Sequence, residues 1–134
     1  MEEPIFLTLD HVLRLHERQI ERFGGSGGVR DVELIESAIA QPRQSFNGQY
    51  LHGGVIEMAA AYLYHLCKNH GFVDGNKRVA AASALVFLEI NGIDTDPIDE
   101  SAMEAIVLGT AEGRLDKKSV AEFFRTNVNL KDDG

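Results

Sequence analysis

One cysteine, three prolines and no tryptophan occur in 134 residues. The lone Cys67 cannot close an internal disulfide, which excludes the stapled scaffolds of secreted proteins. Nowhere is there the run of roughly 18 apolar residues that a membrane-spanning helix requires. The first residues, MEEPIFLTLD, begin acidic and lack the basic start of a secretory signal. These absences point to a cytoplasmic protein without a membrane partner. Basic charge is scarce too: 13 Lys and Arg stand against 21 Asp and Glu, a formal net charge of −8. That field repels nucleic acid and anionic lipid at long range, and the only adjacent basic pairs are Lys77-Arg78 and Lys117-Lys118. An anion bound by this chain is therefore held locally, by a few groups.

Apolar residues are plentiful, at 44% of the chain, enough for a packed core in a single domain spanning 1–134. Their spacing is helical. Leu9, Val12, Leu13, Leu15, Ile20 and Phe23 predict a first helix with Thr8 or Asp10 as N-cap, ending at Gly24-Gly25. GGSGG then reads as a flexible connector; it lacks the Lys-Ser/Thr ending of a phosphate loop. Asp31 caps a second helix, Val32 to Gln41, which Pro42 stops. In the segment after it, Asn47-Gly48 between Phe46 and Tyr50 is a hairpin signal, so a small flap is expected.

Val55 to Asn69 carries an inner stripe of Ile56, Ala59, Ala60, Leu63, Leu66 and Cys67. Val79 to Ile90 is apolar almost all round, which predicts the central helix of a bundle. Asn91-Gly92 closes it. Asp96-Pro97 predicts the next start, with Asp99 and Glu100 in the first turn and an end near Ala111. A last helix covers about Ser119 to Asn127, and the tail NLKDDG is expected to fray. The sum is an all-α bundle of about six helices with one hairpin. His11 and His16, like His65 and His70, are five apart, about 140° beyond a full turn, so neither pair shares a face for zinc. Cys67, one turn before His70 on the inner stripe, reads as an inert buried thiol. His52 receives no role from the sequence, and the tyrosines read as packing or rim residues.

Most of the chemistry lies in HGFVDGNKR, residues 70–78. Extending the heptad Ile56–Leu63 reaches His70, which predicts an imidazole on the inner side of the bundle. Asn76 is the natural N-cap of the following helix. The first amides of that helix lack intrahelical partners and sit at the positive end of its dipole. Gly75 can take positive φ and let the preceding N–H join the concavity, and Lys77 and Arg78 add charge. This is a cradle for a polyphosphate. Asp74 would repel phosphate unless it holds a hard cation, and a magnesium ion suits one carboxylate plus phosphate oxygens. An imidazole, neutral in part near pH 7, can accept a proton from an incoming hydroxyl. Phe72 anchors the loop in the core.

This stretch resembles the signature of the Fic/Doc family. Fic proteins carry His-x-Phe-x-Asp/Glu-Gly-Asn-Gly-Arg-x-x-Arg; the Doc branch, toxins named for death on curing, carries His-x-Phe-x-Asp/Asn-x-Asn-Lys-Arg. His70, Phe72, Asp74, Asn76, Lys77 and Arg78 match the Doc form at each fixed position, and GGVRD, residues 27–31, is similar to the stretch before the second helix of Doc-like chains. The likeness runs from Leu7 to about Phe124. It implies a Fic/Doc-like fold and a toxin of a toxin–antitoxin pair that transfers the γ-phosphate of ATP, with Mg2+, to a threonine of elongation factor Tu and arrests translation. By the same likeness His70 is the base, Asp74 the metal ligand, and Gly75, Asn76, Lys77 and Arg78 the phosphate ligands. The flap, Ser45, Phe46, Asn47, Gly48, Gln49, Tyr50 and Leu51, would dock the target by strand addition.

Lys77 replaces the second glycine of the Fic motif, and Ala81 stands at its second arginine. Both departures disfavour the AMP transfer of Fic enzymes. No Ser/Thr-x-x-x-Glu-Gly/Asn inhibitory segment occurs, so restraint falls to a separate antitoxin, partly disordered, that folds as a helix into a groove. An inactive binding module would not need both His70 and Asp74. A DNA-reading helix–turn–helix conflicts with the acidic charge.

Overall fold

The computed structural model describes residues 3–131. They form six α-helices and four two-residue strands in the order α1 (Leu9–Phe23), α2 (Val32–Ala40), β1 (Ser45–Phe46), β2 (Gln49–Tyr50), α3 (Val55–Asn69), α4 (Asn76–Ile90), β3 (Ile93–Asp94), α5 (Glu100–Ala111), α6 (Lys117–Asn127) and β4 (Asn129–Leu130). The all-α bundle read from the helical spacing is the fold observed.

Helix α3 is the hub, touching α2, α4, α5 and α6. Its run Met58 to Leu63 is buried on every side. Three consecutive alanines, Ala59 to Ala61, let neighbouring backbones approach closely, and Tyr62 fills the space against Phe87, ring centroids 4.9 Å apart. The Tyr62 hydroxyl accepts a hydrogen bond from the Leu7 N–H at 2.9 Å, tying the N-terminal segment to the core. Burial pushes that hydroxyl up to about 12. The centre of the bundle is therefore α3 rather than α4. Helix α4 buries Val79, Ala80, Ala84, Phe87 and Leu88, but Ala81, Ala82 and Leu85 stay half-covered.

Caps explain the helix starts. Thr8 caps α1 in a reciprocal pair, its hydroxyl accepting the His11 N–H while its own N–H bonds His11 Nδ1. Asp31 caps α2 through the Glu33 N–H, and Gln41–Arg43 continues as a 3-10 turn around Pro42. Asp99, not Asp96, caps α5, so that helix starts later than Asp96-Pro97 suggested. Thr95 to Ile98 is instead a turn, closed by the Ile98 N–H on the Thr95 carbonyl and held by the Glu89 carboxylate on Thr95. Asp116 caps α6, which begins at Lys117.

The flap is a true hairpin: Ser45 pairs Tyr50, Phe46 pairs Gln49, and Asn47 and Gly48 both have positive φ, as the tight turn requires. The expected fraying of the tail is corrected for residues 129–131; Asp132 to Gly134 lie outside the described residues. Strand β4 pairs antiparallel with β3, the Lys131 N–H bonds the Gly92 carbonyl, and the Lys131 ammonium pairs with Glu89.

Candidate active site: the loop between α3 and α4

Helix α3 ends at His70 in the left-handed region, φ 52 and ψ 48. This corrects the expectation that the imidazole faces the bundle. The heptad argument assumed that the helix continues, whereas the left-handed turn swings His70 off the inner stripe, and it is exposed. Phe72 returns the chain to the core, 2% exposed and stacked on His16 with centroids 3.9 Å apart. Gly75, φ +78, then starts α4, and no side chain caps it.

Asn76 is thus not the N-cap but the first residue of α4. Its Oδ1 accepts the Phe72 N–H and its Nδ2 donates to the Phe72 carbonyl, each at 3.0 Å. The side chain is a staple that closes the loop; what it leaves for a ligand is its backbone amide. The amides of Asn76, Lys77 and Arg78 lack intrahelical acceptors at the positive end of the dipole. These three residues line a cavity of about 360 Å3 together with His70, Asp74 and Gly75. Lys77 and Arg78 are exposed beside it, and the Arg78 guanidinium lies over the Phe23 ring at 4.5 Å. Cys67 lies in the cavity wall, 1% exposed, and burial pushes its thiol up, so it stays protonated and inert.

Asp74 is exposed. Its Oδ2 accepts the Ser26 N–H at 3.2 Å and its Oδ1 accepts the Gly75 N–H at 2.8 Å. These two bonds, with help from the nearby Arg78 charge, hold its carboxyl below the usual range. It is an ionised carboxylate with lone pairs to spare at the edge of a phosphate-sized cradle. That donor set fits a magnesium ion that also takes phosphate oxygens.

Three residues the sequence did not single out hold the loop. The His16 imidazole, 3% exposed, donates from Nε2 to the Asp74 carbonyl at 2.7 Å. Arg30 Nε donates to the His70 carbonyl at 2.7 Å, and the N–H groups of Arg30 and Asp31 both reach the Gly71 carbonyl. Gly25 comes so close to Asp74 that a Cβ would sit 2.6 Å from Oδ2. The glycine cluster is therefore no free connector at this end; its backbone is bonded to the motif loop, with Val29 bridging Phe72. The sequence pattern pairs His16 only with His11, five residues away and off its face. GGVRD was the available signal for Arg30.

The flap residues Ser45 to Leu51 do not line this cavity. Tyr50 packs edge-on to Phe6 of the N-terminal segment instead, and the other six flap residues are exposed. His52, just past the flap, gains a place: Lys117 donates to Nε2 of both His52 and His65, at 3.3 and 3.1 Å. Burial, then the Lys117 charge, lowers both imidazoles, His65 to about 4.

The sequence model of the Fic/DOC family matches residues 6–88, more than half of the chain. The chain belongs to the Fic/Doc family. It is 31% identical over 119 residues to the protein kinase Doc of Escherichia phage P1, covering 89% of this chain and 92% of that one. It is 45% identical over 71 residues to the toxin Doc of Mycolicibacterium smegmatis, a match spanning 53% of this chain and about half, 55%, of that relative. Both relatives bear the Doc name, which places this Fic/Doc chain in the Doc branch. The loop just described lies within the matched residues and is the stretch that resembles the Doc form of the family signature. No described helix is long and apolar enough to cross a membrane.

Proposed function

We propose that this chain is the toxin of a toxin–antitoxin pair and a protein phosphotransferase that moves the γ-phosphate of ATP to a threonine hydroxyl of a translation factor such as elongation factor Tu. The observation that carries the proposal is the uncapped start of α4, with Lys77 and Arg78 at the cavity edge and an exposed imidazole at its mouth. Backbone amides of residues 76–78 cradle phosphate oxygens, and the two cations offset their charge. His70 accepts the proton of the acceptor hydroxyl as its oxygen bonds the γ-phosphorus, while the bond to the β-phosphate bridging oxygen breaks and ADP leaves. Asp74 would hold magnesium, which when bound offsets charge on the phosphates. Lys77 fills the space that a glycine leaves open in Fic enzymes, which supports a phosphate pose unlike theirs.

The antitoxin segment would lie in the groove of about 580 Å3 between α1, α4 and α5. Phe23, Ala81, Leu85 and Leu108 give it an apolar lining, and Arg22, Arg78, Glu100 and Glu104 add charges of both signs. An amphipathic helix fits such a surface. Arg78 borders both groove and cradle, so an occupant there would touch the phosphate site.

The test is to incubate the purified protein with elongation factor Tu, magnesium and ATP labelled separately on the α- and γ-phosphates, and to weigh the product. A phosphate-sized gain carrying the γ-label supports the proposal. An AMP-sized gain carrying the α-label would replace it with nucleotidyl transfer, and no gain would remove this target.

A further inference from the structure

We infer that Arg30 is a positioning residue for His70: its guanidinium holds the histidine in the left-handed conformation that turns the imidazole to the cavity mouth. This rests on the reading of His70 as the base. Continued as a helix, α3 would aim residue 70 along the stripe of Ile56 and Leu63, into the bundle. The observed φ of 52 takes it out of that register. A non-glycine residue persists in this region only where its surroundings over-determine it.

Here the surroundings are two consecutive residues of the segment before α2. Arg30 Nε takes the His70 carbonyl at 2.7 Å, and the Arg30 and Asp31 N–H groups take the next carbonyl, that of Gly71, at 2.8 and 3.0 Å. The backbone pair fixes the strand-like pairing of the loop for any residue at position 30. The side chain alone reaches the carbonyl of the catalytic histidine itself. Arg30 is exposed, and among the described residues no carboxylate forms an ion pair with it, so a surface salt bridge does not account for its placement. The planar, always charged guanidinium presents Nε in a fixed direction, which a flexible ammonium does not.

The experiment compares Arg30→Ala and Arg30→Lys with the parent protein. The readouts are the His70 Cα and carbonyl NMR shifts, Mg–ATP affinity by calorimetry, and γ-phosphate transfer at saturating ATP. For Arg30→Ala we expect the His70 shifts to leave their left-handed values. Transfer should fall about 10- to 100-fold, as for a misplaced catalytic group, while ATP affinity stays within about twofold because the amide cradle is untouched. Arg30→Lys should recover part of both losses. Unchanged His70 shifts in folded Arg30→Ala would overturn the inference, as would shifted signals with undiminished transfer. The shift measurement needs no reaction, so it stands apart from the base assignment, which fails instead if His70→Ala transfers phosphate normally.

Discussion

Replacing Asn76 by alanine separates two roles that the motif alone leaves merged. Its side chain satisfies both the N–H and the carbonyl of Phe72, each at 3.0 Å. Phe72 is buried, so both groups lose their partners where water enters poorly. Each lost bond costs about 1 to 2 kcal/mol when a partly buried group is left unpaired. Alanine's better helix propensity returns about 0.5 kcal/mol. The net loss is about 1.5 to 3.5 kcal/mol. With unfolding entropy near 2.1 cal/mol/K per residue, 134 residues give roughly 0.3 kcal/mol/K, so Tm falls by about 5 to 12 °C. Thermal unfolding followed by circular dichroism measures this, and calorimetry with Mg–ATP measures affinity, which should drop far less because the amide of residue 76 remains. Asn76→Asp keeps the acceptor for the Phe72 N–H but loses the donor, and should lose at least half as much stability. A Tm within about 1 °C of the parent, with ATP affinity lost more than tenfold, would refute the staple and return the side chain to the phosphates.

Three further outcomes are expected. Gly71→Ala puts a Cβ 2.4 Å from Ile35 Cγ1 and 3.2 Å from the Ile35 backbone nitrogen, so it should cost about 1 to 3 kcal/mol by overpacking and depress transfer by shifting the His70 loop; an unchanged Tm in a melting experiment argues against that contact. Asp74→Asn keeps an acceptor for the Gly75 N–H but removes the charge, so ATP affinity should fall at least tenfold with magnesium present and change little in its absence, as calorimetry in the two buffers will show. His65, lowered to about 4, stays neutral in the fold while the unfolded chain binds a proton below about 6.5. The fold therefore takes up fewer protons in that window. Stability should fall as pH drops from about 6.5 to 4, by about 2 kcal/mol after allowance for solvent, and a His65→Gln variant should flatten the slope in urea titrations at stepped pH.

The bundle was legible because its signals are local. Stripes such as Ala59, Leu63 and Leu66 repeat at helical spacing, and Asp31 and Asn47-Gly48 mark their own boundaries. The identities of the loop residues also point to phosphate chemistry without a structure. What was hidden depends on contacts distant in sequence. Asn76 looks like a cap until Phe72 is seen folded back beside it. His70 looks internal until Arg30, 40 residues earlier, is seen at its carbonyl. A glycine cluster reads as freedom, yet Gly25 is small because Asp74 lies against it. The pairing of β3 with β4 is two residues long, too short for any alternation to announce. Helix α4 reads as fully buried because apolarity does not distinguish a core face from the floor of an open groove.

The account stands on the cradle at the start of α4 taking a polyphosphate. Titrating isotopically labelled protein with Mg–ATP and following backbone amides by NMR tests this directly. The amides of Asn76, Lys77 and Arg78 should show the largest saturable shifts, weakened when magnesium is withheld, while the Gly75 amide stays on the Asp74 carboxylate. Saturable shifts confined to the α1–α4–α5 groove or to the flap, with these three amides still, would contradict it.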